Sequence, residues 1–188
     1  MNVNHILILS LISSLLLGSQ LDALAQSSPD QLKASGVKTG TSLGRIAAQS
    51  PDHTTLLQLL KASGLSKQAV GKGPYTVFAP NNGAFSALSE PSISELLLPS
   101  SKQRLIQLLA YHVVKGRLTS DQLRDGQTLT NLTGQILVVH KQGNNITIED
   151  GRGTVADVIQ ADIRATNGVV YSINKVLQKT SPKGPIVR

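Results

Sequence analysis

Four histidines and no cysteine bound the chemistry that this 188-residue sequence can do near neutral pH. Without cysteine there is no thiol nucleophile, no thiolate metal ligand and no disulfide. His5 falls in an N-terminal apolar segment, which leaves His53, His112 and His140. None of them stands at the H-x-H or H-E-x-x-H spacing that brings two imidazoles to one metal ion, so no metal is expected. The members of a Ser-His-Asp triad can be distant in sequence; a hydrolase would need the fold to bring a Ser or Asp beside His53, His112 or His140. The pairs Gly71-Lys72-Gly73 and Gly151-Arg152-Gly153 lack the strand-to-helix context and spacing of phosphate loops and read as turns. No enzyme and no cofactor is expected.

His112 is the most informative of the three. Leu105, Leu109 and His112 follow one another at i, i+4 and i+7, which places the imidazole on the apolar side of a helix. A buried neutral histidine bonded through both ring nitrogens fits that position. Ligand contact or a pH-sensitive switch is the functional alternative, because imidazole changes charge between about pH 5 and 8.

The elements that must position His112 read as helices first and strands later. SLGRIAAQ and SPDHTTLLQLLKASG are helical, the second with Ser50 as cap, Pro51 in its first turn, a stripe of Leu56, Leu57, Leu59 and Leu60, and Gly64 just past its end. Leu65 to Val70 reads as a further turn. A strand over Tyr75 to Phe78 is closed by Pro80, and Asn81 or Asn82 caps a helix whose Ala84, Phe85 and Leu88 share one face. Ile93 to Leu98 and SSKQRLIQLLAYH complete the helices. From there the period shortens: strands are expected over 113–118, 135–140, 145–149, 154–165 and 169–177, with Asn167-Gly168 as a type I′ hairpin turn. This order describes an α+β domain with antiparallel strands.

With those elements placed, YTVFAPNNGAF (75–85), Tyr111-His112 and ADIRATNGVVYSINKVL (161–177) together resemble the three spaced motifs of a single fasciclin domain. The resemblance covers roughly residues 39–178. It implies a compact β wedge of two antiparallel sheets with helices packed at one side, and a non-enzymatic role in extracellular adhesion or matrix interaction. Phe78, Pro80, Asn81 and Phe85 form the corner motif, and Asn167 and Gly168 the closing one. The family links the Tyr-His pair to structural integrity and to adhesion, which the resemblance carries to Tyr111 and His112 as binding candidates. Asp162-Ile163 matches a family segment implicated in integrin binding; a strand edge with Ile163 packed inward is the other reading. The chain departs from the family pattern with Asn81-Asn82-Gly83 in place of a Thr or Ser and an Asp, with Tyr171 where histidine is common, and with Asn174 where aspartate is common.

Residues 1–25, apolar from Ile6 to Leu17 and with Ala23 and Ala25 near their end, read as a signal peptide cleaved near Ala25/Gln26. A secreted protein, extracellular or periplasmic, is expected, with a mature form that does not span the membrane. Residues 26–38 read as a flexible lead-in, 39–178 as the folded domain and 179–188 as a tail. The net charge of +7 rises to +8 once Asp22 is removed. Its basic residues are scattered singly and aromatics number five, whereas a nucleic-acid surface clusters cations and stacking rings. The expected partner is instead an extracellular polysaccharide or a cell-surface protein. A small-ligand or sensory module with a pocket near Tyr111 and His112 is the alternative. Asn131 and Asn145 begin glycosylation sequons, which matter only in a eukaryotic host.

Overall fold

A computed structural model describes residues 40–66, 73–89 and 91–179. The expected signal peptide, the lead-in, the turn beyond Ser66 and the tail beyond Lys179 lie outside the described residues. Among these, five α-helices and seven strands follow the order helices, one strand, helices, six strands: α1 (Leu43–Gln49), α2 (Thr54–Ser63), β1 (Tyr75–Pro80), α3 (Asn82–Ser86), α4 (Ile93–Leu96), α5 (Lys102–Tyr111), β2 (Val113–Lys115), β3 (Thr128–Thr130), β4 (Ile136–Gln142), β5 (Asn145–Glu149), β6 (Val155–Ala165) and β7 (Gly168–Ile173).

Helix ends follow local chemistry. Asn81 Oδ1 accepts from Ala84 N at 2.8 Å and starts α3, and Ser92 Oγ does the same for α4 through Glu95 N. Gly64, at φ 80°, ends α2 in the left-handed conformation that glycine adopts without a Cβ clash. Ser50 departs from expectation. It precedes a 3-10 turn, Pro51–His53, and makes no side-chain cap bond, because its hydroxyl is bonded to the His53 ring.

The strands form one sheet in the order β2-β1-β7-β6-β5-β4-β3. Its ends approach each other: Val114 and Asn131 form a bridge and Leu132 N donates to Val113 O at 2.8 Å. The result is an α+β wedge in which two halves share the long β6, whose register shifts at Val158/Gln160 and Gln160/Ile163 let it bend. Pairing differs from the antiparallel reading at one place. β1 runs parallel to β7 from Tyr75↔Gly168 to Pro80↔Ile173, since strand direction here is set by a partner about 90 residues away rather than by any local turn.

Both faces of the central strands are covered. On β7, Val169, Tyr171 and Ile173 point into a core with Phe78, Tyr111, Leu137, Val139 and Ile148 inside the curled sheet. The alternating Val170 joins Leu56, Leu59, Phe85, Leu105 and Leu109 under the helices. Every residue of β7 is therefore buried, as a strand covered on both faces must be.

The β6–β7 hairpin corrects the type I′ reading. Ala165 pairs with Gly168, so Thr166 and Asn167 form the loop, and neither has positive φ. Gly168 is needed for close approach instead: a Cβ there would stand 2.1 Å from Tyr75 O. Asn167 ties the hairpin to two other elements, accepting from Leu43 N through Oδ1 (2.9 Å) and from Tyr75 N through its carbonyl (3.1 Å).

Candidate functional site

Tyr111 and His112 end α5 with their rings edge to face, 6.3 Å between centroids. Tyr111 is 1 % exposed inside the sheet, where its hydroxyl accepts from Gly151 N at 3.1 Å; burial pushes its pKa above the usual tyrosine value. His112 is 4 % exposed. Leu177 N donates to its Nε2 at 2.9 Å, which makes Nε2 the acceptor and puts the ring proton on Nδ1, 2.8 Å from Leu108 O. Both nitrogens are used, one at each end of a span that joins α5 to the chain after β7. Protonating Nε2 would set two donors against each other. Burial accordingly lowers the His112 pKa to about 4, against weaker opposing effects from the Leu108 carbonyl and Asp150.

Asp162 and Ile163 sit at the bend of β6. Asp162 has φ 56°, and its half-buried carboxylate accepts from Ser120 N (2.8 Å) and Ser120 Oγ (2.5 Å). The Tyr171 hydroxyl lies 3.2 Å from Asp162 Oδ1 and 2.8 Å from Leu118 O. Burial and the Asp162 charge raise the Tyr171 pKa. Ile163 packs against the helix-side core. Phe78 is fully buried with its ring 5.6 Å from that of Tyr171. Pro80 is buried at the end of β1, and Phe85 anchors α3 at 2 % exposure.

Sequence reasoning missed three polar groups. Asp150, 5 % exposed, accepts from Arg152 N, Thr154 N and Gln178 N, each at 2.8 Å; its Asp-Gly turn was the available signal. Asn131 is 4 % exposed and its Oδ1 accepts from Thr133 N, Thr133 Oγ1 and Gln135 N, so this sequon is an internal turn and not an open glycan acceptor. His53 is also buried: Nδ1 lies 2.7 Å from Ser50 Oγ and Nε2 3.1 Å from Ser172 Oγ. Its pKa is lowered, chiefly by burial. No local pattern marks this group, because Ser172 is 119 residues away.

His53 adjoins a cavity of about 390 Å³ between the helices and the β1, β7 and β6 face, lined among others by Leu56, Val77, Leu109, His112, Ile163 and Ser172. Tyr111 does not line it. The G-x-S-x-G spacing of residues 40–44, shared with nucleophile elbows, brings no catalytic pair. Ser42 stands at the N-cap of α1, and the hydrogen-bond partners of His53, His112 and His140 are other residues. His140 Nε2 pairs with Glu149 on the surface at 2.7 Å. Among the described residues no group of three metal-ligating side chains occurs, and no helix is long and apolar enough to cross a membrane.

Comparison with known proteins agrees with this architecture. Residues 51–179 match the model of the Fasciclin domain. Protein sll1483 of Synechocystis is 38 % identical over 134 residues, which are 70 % of each chain. Immunogenic protein MPT70 of Mycobacterium tuberculosis is 35 % identical over 70 % of this chain and 65 % of its own length. Transforming growth factor-beta-induced protein ig-h3 of Sus scrofa is 32 % identical over 66 % of this chain but only 18 % of its own length. The structure of a FAS1 domain pair from the insect cell adhesion molecule Fasciclin I superposes with a TM-score of 0.58 at 17 % identity, covering 74 % of this chain and 51 % of that one, a likeness of fold. Its motifs, its curled sheet with helices on one side and the family match over most of its length make this chain a member of the fasciclin domain family.

Proposed function

We propose that this protein is a secreted, non-enzymatic adhesion module that binds an extracellular polysaccharide or a cell-surface protein through its outer loops. The observation that supports this reading most is that Tyr111, His112 and Asp162 use their hydrogen-bonding groups inside the domain. They hold the fold that carries a binding surface and are not presented to a substrate. Family membership supports adhesion, the role of the insect cell adhesion molecule of like fold. Recognition then falls to side chains next to these fixtures: Lys115 at the end of β2 and Arg117 on the turn after it, both exposed, follow the segment that the family associates with adhesion. Arg117 Nη2 donates to Thr166 O at 2.9 Å, which joins that turn to the β6–β7 hairpin.

The test is binding of the purified protein to an array of extracellular polysaccharides and to whole cells, at low and at physiological salt, with K115E/R117E as the variant. Saturable binding that persists at physiological salt and falls at least tenfold in the variant supports the proposal. Binding to neither target, or binding abolished by salt and unchanged in the variant, overturns it.

A further inference from the structure

We propose that the cavity between the helices and the β1–β7–β6 face binds an apolar small molecule that ends in an uncharged hydroxyl group. Its volume, about 390 Å³, falls in the range of small-molecule sites. Its walls are aliphatic, with Leu56, Leu60, Val77, Leu109, Ile163 and Val170 among them. Leu132 and Ile159, 42 % and 52 % exposed, also line it, so the cavity reaches solvent beside them. Such walls favour an alkyl or ring body and give no reason for a charged one.

The head group follows from counting protons. Ser50 Oγ, the His53 ring and Ser172 Oγ form a row with two hydrogen bonds, 2.7 and 3.1 Å, and all three residues line the cavity. A neutral imidazole carries one N–H and each serine one O–H, which makes three protons for two bonds. The imidazole N–H also has the Ala79 carbonyl as an acceptor, and one serine proton is still left over in either tautomer, at Ser50 when Nδ1 is the donor and at Ser172 when Nε2 is. Asp52, an exposed residue, also borders the cavity, and its carboxylate can only accept. A ligand head that accepts from a serine and donates to Asp52 satisfies both. An alcohol does so. A carboxylate would meet like charge at Asp52, and an ammonium has no lone pair to offer the serine.

The experiment compares 1-dodecanol, dodecanoate, dodecylammonium and dodecane as probes of the purified protein at pH 7.5, by native mass spectrometry for stoichiometry and calorimetry for affinity. Expected are one dodecanol per chain and at least tenfold weaker binding of the other three. A47W, which fills the cavity from α1, abolishes binding. D52N, at an exposed position, narrows the preference for dodecanol over dodecanoate, and removing the serine that carries the spare proton lowers dodecanol affinity about tenfold, the effect of one hydrogen bond, in S50A or in S172A according to the tautomer; an affinity unchanged in both variants overturns the proposal. Absence of saturable binding, equal affinity for dodecane and dodecanol, tighter binding of dodecanoate, or undiminished binding by A47W overturns the proposal. None of these outcomes depends on adhesion, so the two functional readings stand or fall separately.

Discussion

At the scale of single residues, buried polar groups decide what the domain tolerates. His112 is held neutral, with its pKa lowered from 6.5 to about 4. In the unfolded chain it takes up a proton at a pH where the folded chain does not. Stability from this group is thus complete above about pH 6.5 and declines as pH falls toward 4, by about 3 kcal/mol in all. His53, also lowered, acts in the same direction. We predict that denaturant unfolding followed from pH 7.5 to 4 shows this decline, and that H112A, less stable by about 1–3 kcal/mol at pH 7.5, shows a shallower one. Asp162 is half-buried and accepts from Ser120 N and Ser120 Oγ, which implies that D162A loses about 2 kcal/mol; an unchanged melting temperature would return Asp162 to the surface as a candidate contact.

At the scale of elements, two glycines and one asparagine separate three kinds of constraint. Asn81 caps α3 through a single bond, and N81A should cost about 1 kcal/mol. Gly64 has open space around it but a left-handed backbone, so G64A should cost about 1 kcal/mol through strain alone. Gly168 has ordinary φ and no space, since a Cβ would lie 2.1 Å from Tyr75 O on the parallel partner strand. G168A must push β1 and β7 apart and should be the most damaging of the three, about 3 kcal/mol or more. Equilibrium unfolding of the three variants gives this ranking directly; a G168A no worse than G64A would contradict the close strand approach.

At the scale of the whole molecule, the sheet closes on itself only at the β2–β3 seam, where the Val114–Asn131 bridge and the Leu132 N bond to Val113 O join its ends. Asn131 organises the turn that makes this contact. N131A should therefore speed amide hydrogen exchange at Val114 and Leu132 well before it affects β7, whose residues are all buried. Uniform acceleration across the domain would show that the seam is not an independent weak point. The net charge acts on a longer range. Any attraction of the basic surface to anionic polysaccharide is screened beyond about 8 Å at physiological salt, so only contacts made by shape and hydrogen bonds persist there.

The helices, their ends and most strands were legible because they depend on neighbours within a few residues: the Leu stripe of α2, Gly64 past its end, Asn81 before α3, and the short punctuated runs after His112. The three spaced motifs also pointed to the family, since they mark corners where strand, turn and helix chemistry coincide. What the sequence could not disclose depends on partners far along the chain. The parallel pairing of β1 with β7, the three-residue β3, the use of Gly168 for strand approach, the separate hydrogen-bond partners of Tyr111 and His112, and the Ser50–His53–Ser172 row all arise from contacts across many residues. The sequence by itself determined which segments bury one face and where they turn, because propensity and periodicity are local. Only the tertiary structure decided which polar groups are internal fixtures and which line a cavity, because desolvation and hydrogen-bond partners exist only after the segments have packed.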